Sequence, residues 1–466
     1  METIKTLVNQ VLNYGPAIMM PIILFVLALI FRQKIGISLR AALTVGVAFI
    51  GINAVLGTVF GVLGPVVNTM SKSFGLSLNG LDVGWPLTSA ITWGVPLAAA
   101  IIPIAFVVNI IMLIFNWTKT FDADVWNYWH WAFVAVMTYM WTKSLLLSYT
   151  LAIITEVIIL KLADWTAPLT QKYFGIPGTS LPHTETQNWA PISLAAEKLI
   201  FSKIKALDNI KADPEGLTKK FGVFGEPIML GFYIGILLGI LGKQSAIDVF
   251  KTGVYLSALM LLQGRMIGIL MEGLMPIVNG ISDYFSSNKR FENREIYIGI
   301  DAGPIGLANP TSIFVGYLLL PVVLLLAFIP GNKILPLADL AILPIFVMFA
   351  AAASRGNVVK TIFNGLISVV LVLYITNAFA IPLTEAAKVV NYTIPAGVVL
   401  ISSLDAGSHI LPYIFILPVV SFASGKPGQA VMPLIIGVIY FLAWFYAKDQ
   451  PIKIAEKLEK ESGEGM

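Results

Sequence analysis

Two residues in this chain are suited to chemistry on a hydroxyl: His183, in Leu181-Pro-His183-Thr184-Glu185-Thr-Gln187, and Asp301, in Gly299-Ile-Asp301-Ala-Gly-Pro. An imidazole or carboxylate within hydrogen-bond reach of a hydroxyl can act as general base when that oxygen attacks an electrophile. Both sit among Gly and Pro in apolar surroundings. Polar groups are costly in such a setting, and they mark functional positions. Three further islands share the pattern. Leu81-Asp82-Val-Gly-Trp-Pro86 places a carboxylate ahead of Gly and Pro, as at Asp301. Asn309-Pro310 closes the Asp301 segment. Ser402-Ser-Leu-Asp405-Ala-Gly-Ser408-His409 interrupts another apolar run. The plainer reading of Asp82, Asp301 and Asp405 is a helix N-cap, and that of His183 is a loop histidine. Glu226, between Gly225 and Pro227, reads as a cap.

The fourth island is aromatic: Trp126-Asn-Tyr128-Trp129-His130-Trp131. Rings in such a cluster form an interfacial belt, or stack on the C–H face of a sugar or polyol. A solute that offers only hydroxyls needs many donors and acceptors. We therefore take Asp82, Trp126, Tyr128, His130, Thr184, Glu185, Asn309 and Asp405 as candidate binding residues, with His183 and Asp301 as the reacting pair. No metal ligand set and no cofactor motif is expected.

The elements that must position these residues are membrane helices. Of 466 residues, 57% are hydrophobic and 12% charged, and the mean hydropathy is +0.84. Soluble domains carry about 25% charged residues. Runs such as Ala41–Val67, Val95–Phe115, Val358–Ala380 and Met432–Tyr446 approach the roughly 20 apolar residues of a span. Gly15–Ile30 lacks a basic leader and reads as a first span, not a cleaved signal. The chain has no cysteine, which removes disulfides and thiolate chemistry. A net charge of +4, spread over short loops, suggests no nucleic-acid partner. No Walker-type phosphate loop occurs.

Arg32, Lys34 and Arg40 follow the first span, whereas the next connection carries only Lys72. The positive-inside rule then places the first turn in the cytoplasm and the N-terminus outside. The stretch 170–224, with six lysines from Lys198 to Lys220, reads as a cytoplasmic loop. Residues 448–466 read as a cytoplasmic charged tail.

The second half echoes the first. Tyr14-Gly-Pro-Ala-Ile-Met-Met20 matches Phe224-Gly-Glu-Pro-Ile-Met-Leu230, and Gly-Pro65-Val-Val-Asn68 matches Met-Pro276-Ile-Val-Asn279. Asp82 answers to Asp301, Pro103 to Pro321 and Asp124 to Asp339 in the same order. About five segments per half make an odd number, which inverts one half against the other as in many secondary transporters. The expected fold is an all-α polytopic membrane protein of about 11 transmembrane segments. It comprises two inverted repeats (about 14–180 and 224–425) with broken or re-entrant helices, and an extra C-terminal helix at 431–447. Gly231, Gly235 and Gly239, and likewise Gly57 and Gly61, should present bare faces to neighbouring helices.

At these residues the chain resembles the galactitol-specific IIC component of the bacterial phosphoenolpyruvate-dependent phosphotransferase system, in the ascorbate–galactitol superfamily. The resemblance covers nearly the whole chain. It is carried by Asp82-Val-Gly-Trp-Pro86, Asp124-Val-Trp-Asn-Tyr-Trp-His130, Lys220-Phe-Gly-Val-Phe-Gly-Glu-Pro227, Ile298-Gly-Ile-Asp301 and Pro330-Gly-Asn-Lys-Ile-Leu-Pro336. It implies an inner-membrane homodimer, set in lipid, whose core moves as an elevator. It also implies a polyol substrate such as galactitol, phosphorylated by phosphocysteine on a separate IIB protein that is itself served by IIA. The cysteine-free sequence agrees that no IIB domain is fused here. Pro182-His183 and Ile300-Asp301 look like the pairs that contact substrate in the ascorbate branch. That branch has glutamines after the histidine, and Thr184 and Glu185 stand here instead. A rival reading is an ion-coupled secondary transporter with Asp82 and Asp301 as the ion site.

Overall fold

A computed structural model describes residues 16–73, 75, 80–124, 128–208, 222–287, 294–392, 394 and 398–462. Trp126 therefore lies outside the described residues. The described residues are mostly helical, with six strands of two or three residues among them. Among the described residues, four helical segments are long and apolar enough to cross a membrane: Pro96–Ile114, Leu145–Phe174, Val358–Thr376 and Pro427–Tyr446. Five shorter apolar helices accompany them.

The first part is built from α1 (Pro16–Ile30), α2 (Ile35–Ser73), β1 (Gly80–Asp82), α3 (Trp85–Gly94), α4 (Ile101–Ile114), β2 (Thr120–Asp122), α5 (Tyr128–Thr142), α6 (Leu145–Phe174), β3 (Thr179–Ser180), α7 (Thr184–Gln187) and α8 (Ala190–Leu199). The second runs through α9 (Pro227–Leu241), α10 (Ala246–Ser287), β4 (Tyr297–Gly299), α11 (Ala302–Gly306), α12 (Pro310–Leu326), β5 (Ile334–Leu335), α13 (Leu343–Phe346), α14 (Met348–Ala353), α15 (Val358–Thr376), α16 (Ala380–Val389), β6 (Leu400–Ser402) and α17 (Ile410–Ala423). Helices α18 (Val431–Tyr446) and α19 (Gln450–Ser462) close the chain.

α2 and α10, at 39 and 42 residues, are the longest elements. At about 1.5 Å per residue they reach about 60 Å, twice the thickness of a hydrocarbon core. Each carries a proline, Pro65 or Pro276, the residue that most often bends a long helix. They pack together, with α1 on α2 and α9 on α10. Glycine makes the α9–α10 contact possible. A Cβ on Gly235 would lie 2.6 Å from Gly253 Cα and Thr252 O, and one on Gly239 would lie 2.9 Å from Val249 Cα. The bare face predicted on α9 is thus filled by backbone. Gly61 differs, with nothing within 4 Å of its Cβ position. We expect Gly235→Leu to push α9 off α10 and cost roughly 1–3 kcal/mol of overpacking strain or more. A fall in the detergent melting temperature would show it, with Gly61→Leu as the tolerated control.

The strands form two parallel sheets whose orders interleave the halves: β5-β1-β6 and β2-β4-β3. Buried backbone at membrane depth must find hydrogen bonds, and these ladders satisfy it where the helices break. Gly80 pairs with Ile334 and Leu400, and Ile298 with Phe121 and Thr179. The centre of the second sheet is crowded. A Cβ on Gly299 would lie 2.6 Å from Pro182 Cγ and 3.0 Å from Asp122 Cα. The stretch expected as a loop is ordered as far as Asp208, and most of 176–197 is buried. Residues 209–221 lie outside the described set. Glu226 takes the N-cap position of α9, but its side chain makes no capping hydrogen bond.

Candidate functional site

The strand ends deliver polar groups to one buried place. His183 follows β3 and holds the N-cap position of α7 without a side-chain capping bond, Asp301 follows β4 and caps α11, and Asp405 and His409 follow β6. His130 comes from the first turn of α5. All three histidines of the chain meet here. The His130 ring centroid lies 5.0 Å from those of both His183 and His409, edge to face with each. Their exposures are 1%, 6% and 0%.

Carboxylates interleave with the imidazoles. His183 Nε2 lies 3.7 Å from Asp301 Oδ1, beyond a direct hydrogen bond but spaced so that a hydroxyl could bridge the two. Such distances often tighten only when substrate is bound. Asp301 Oδ1 also accepts from Gly303 N at 2.8 Å, so it caps α11 while facing His183. Deeper in, His409 Nε2 contacts Glu185 Oε2 at 2.8 Å and Asp405 Oδ1 at 3.2 Å. Asp405 Oδ1 is also 3.4 Å from His130 Nε2. Glu185 is held from behind by Trp189 Nε1, which donates to its Oε1 at 3.0 Å. A cluster of His130, Asp405 and His409 has donor atoms within 4.8 Å of one another, a spacing able to take a metal ion. His409 Nε2 and Asp405 Oδ1 are already in contact with each other, whereas both ring nitrogens of His130 have no hydrogen-bond partner among the described residues.

The other candidates separate by their partners. Thr184 is 1% exposed, and its Oγ1 has no hydrogen-bond partner among the described residues. It is thus free to meet a solute hydroxyl. The Tyr128 hydroxyl donates to Asp122 O at 3.4 Å, and its ring lies 4.7 Å from that of Trp131, so it braces the turn ahead of α5. Asn309 Oδ1 accepts from Ser312 N and Ser312 Oγ at 3.0 Å, capping α12, and from the Tyr173 hydroxyl at 3.3 Å.

Asp82 is fully engaged in structure. Its Oδ1 accepts from Gly84 N (3.1 Å) and Leu404 N (3.2 Å), and its Oδ2 from Leu337 N (3.1 Å) and Asp339 N (2.8 Å). Four donors fill the roughly four acceptor positions of a carboxylate. Asp339 continues the chain of contacts, accepting from Trp85 N at 2.7 Å, Ser403 Oγ at 2.6 Å and Asp405 N at 3.0 Å. The two aspartates thereby fix the backbone that carries Asp405. Asp82 ends β1, whereas Asp301 lies two residues beyond β4, so the two carboxylates hold different places on their strands.

His409 and Asp339 are not among the candidate site residues read from sequence, although His409 falls within the Asp405 island and Asp339 is the repeat counterpart of Asp124. The rarity of histidine was the available signal for the first. For Asp339 the repeat match gives its place but not its role, since its partners Trp85, Ser403 and Asp405 are far away in sequence. Between the site and the long helices lies a cavity of about 20 Å³, lined by Asp124, Ile300 and Asp301 on one side and by Leu24, Val45, Leu270 and Leu274 on the other. It has room for about one water molecule.

Comparison with known proteins fits this geometry. Residues 10–397 match the family model described as the phosphotransferase-system sugar-specific permease component. A galactitol-specific EIIC component of Escherichia coli (strain K12) is 32% identical over 457 residues, covering 96% of this chain and 99% of the relative. The corresponding component of Escherichia coli O157:H7 gives the same figures. A protein of strain K12 bearing the name of a permease IIC component is 35% identical over 401 residues, or 86% of this chain and 91% of the relative. With strand-borne histidines and carboxylates at a break in apolar helices, and a family match over most of its length, this chain belongs to the sugar-specific permease (EIIC) family of the phosphotransferase system, an integral membrane component.

Proposed function

We propose that the chain carries a galactitol-like polyol inward across a bacterial inner membrane and presents it for phosphorylation by a separate phosphocysteine IIB protein, which IIA recharges. The observation that supports this most is the His183–Asp301 pair. Its two ends are spaced for a hydroxyl at 3.7 Å, and its Asp301 borders the cavity between the site and the long helices. His183 serves as the general base, Asp301 orients it and accepts from a second hydroxyl, and His130 and Thr184 complete the near contacts. Glu185 and Asp405 act through His409 and His130. Asp82, Tyr128 and Asn309, first taken as contacts, support the fold around the site. Trp126 remains a proposed contact.

The same reading supplies the architecture. Each half offers a helix, a very long helix, a strand and a broken helix, and the central strand of each sheet is flanked by two strands of the other half. Such exchange supports two inverted repeats of about five segments, about 11 spans in all, with α18 added. α1, α2, α9 and α10 form the scaffold, and in the homodimer this scaffold supplies the subunit contact in surrounding lipid. The remainder forms the moving core. The water-sized cavity implies that core and scaffold must part to admit a polyol, as in an elevator. The N-terminus lies outside, and α19 lies in the cytoplasm.

Membrane vesicles loaded with phosphoenolpyruvate and the soluble phosphotransferase proteins should accumulate labelled galactitol as its phosphate, and only with IIB present. Uptake of unmodified galactitol driven by an ion gradient would favour the ion-coupled reading instead. That reading is weakened by Asp82, whose acceptor positions are taken by four backbone N–H groups and leave a cation no room.

A further inference from the structure

Phosphoryl transfer requires a route for the donor, and a second cavity supplies one. The α1–α2 turn and the C-terminal end of α10 frame an open cavity of about 890 Å³, lined by Phe31, Arg32, Lys34, Asn279, Asp283 and Tyr284 among others. It stands on the same three helices as the small cavity at Asp301. From Leu24 to Phe31, from Val45 to Ile37 and from Leu274 to Asn279 the chain advances five to eight residues, about 8–12 Å along a helix.

An aromatic trio separates the two cavities. The Phe31 ring meets Phe121 edge to face at 5.3 Å and Tyr284 at 5.1 Å. Phe121 lies in β2, just ahead of Ala123 and Asp124, which line the inner cavity. The mouth is preformed. Gln33 Nε2 donates to Ile277 O at 2.9 Å, pinning the turn to α10, and Gln33 occupies the space where a Cβ on Gly280 would sit.

The mouth also carries charge. Arg32 and Lys34, from the α1–α2 turn, and Asp283, from α10, all line it. Nearby, Lys119 pairs with Glu295 at 2.8 Å, and Arg294 donates to Leu113 O at 3.0 Å. Asp164, on α6, accepts from Lys119 N and Thr118 Oγ1, and the adjacent Trp165 donates to Lys448 O. Basic residues thus gather on the face that also carries the C-terminal tail, which is the cytoplasmic face by the positive-inside rule. Guanidinium groups bind phosphate oxygens in a fork, and an ammonium group adds a point charge.

We propose that this cavity is the cytoplasmic vestibule through which a thiophosphate-bearing partner loop reaches the polyol and the phosphorylated polyol leaves. Arg32 and Lys34 bind the phosphoryl anion, and Phe31, Phe121 and Tyr284 form the gate. The proposal rests on the phosphotransferase reading above. In the transfer, the polyol hydroxyl gives its proton to His183 and its oxygen forms the new O–P bond. The S–P bond breaks with its electron pair on the sulfur, and the partner leaves as a thiolate.

The test uses the full-length protein in detergent with purified phospho-IIB, varying phospho-IIB concentration and measuring labelled galactitol binding in parallel. R32Q/K34Q should raise KM for phospho-IIB by about 10-fold or more, as loss of hydrogen bonds to a charged group does, and leave galactitol affinity unchanged. The difference from wild type should shrink at high salt. An unchanged KM overturns the anion site. Phe31→Ala should speed the escape of unphosphorylated galactitol from vesicles lacking IIB, and an unchanged escape rate overturns the gate. Wild-type protein that binds galactitol yet yields no galactitol phosphate with phospho-IIB overturns the phosphotransferase reading itself, before either variant is compared.

Discussion

His183→Ala is expected to lower IIB-dependent formation of polyol phosphate by about 10²–10⁴-fold, the range that a positioned general base contributes, while the protein still folds. The folding half of that expectation follows from its contacts. His183 Nδ1 has no hydrogen-bond partner among the described residues, and its Nε2 is 3.7 Å from Asp301. Removing the ring therefore strands little. Its backbone carbonyl, which accepts from Gln187 N at 3.0 Å, stays in place. Asp301→Asn is expected to lose a comparable share of the rate with the fold intact. Its amide oxygen can still accept from Gly303 N, now at 2.8 Å to Oδ1, but the charge that favours the imidazolium is gone. Single-turnover transfer from phospho-IIB, beside a melting curve, reads both quantities. Near-normal transfer by either variant would strip that residue of its role. Intact transfer with weakened galactitol binding would recast the pair as binding groups only.

What could be read from sequence divides along the range of the interactions. Membrane helices announce themselves through composition, so Val95–Phe115 and Val358–Ala380 were expected as spans, and the structure has helices at Pro96–Ile114 and Val358–Thr376. His183, Asp301, Glu185 and Asp405 stand out as polar residues in islands that hold Gly or Pro, and His130 as part of an aromatic island; the structure brings all five together. The strands were not foreseen. Two or three residues carry no periodicity, and only pairing across the two halves, such as Gly80 with Leu400, makes them strands. His409 escaped for a related reason, since its meaning lies in Glu185, 224 positions away. The Asp82–Asp301 match was read from motif order. Strand register shows instead that Asp82 belongs to a ladder and Asp301 to the turn beyond one.

That difference in place carries the last prediction: Asp82→Asn should damage the fold nearly as much as Asp82→Ala, whereas Asp301→Asn should not. The Asp82 carboxylate accepts two backbone N–H groups on each oxygen. Alanine leaves all four donors without that acceptor in a residue that is 0% exposed. A buried unsatisfied donor costs about 1–3 kcal/mol. Even with partial relaxation, the loss is several kcal/mol, a large part of the roughly 5–15 kcal/mol that holds a typical domain. Asparagine keeps one acceptor but turns its NH₂ group towards two N–H groups, so donors face donors whichever way the amide is oriented. The structural consequence should spread, because Leu337, Asp339 and Leu404 belong to the connections that carry the Asp339–Asp405 contact. Monodisperse yield and melting temperature in detergent should therefore fall steeply for both Asp82 variants. If Asp82→Asn instead melts like the wild type and loses only galactitol affinity, the carboxylate is a substrate contact after all. The four backbone donors must then find other acceptors when the polyol is bound.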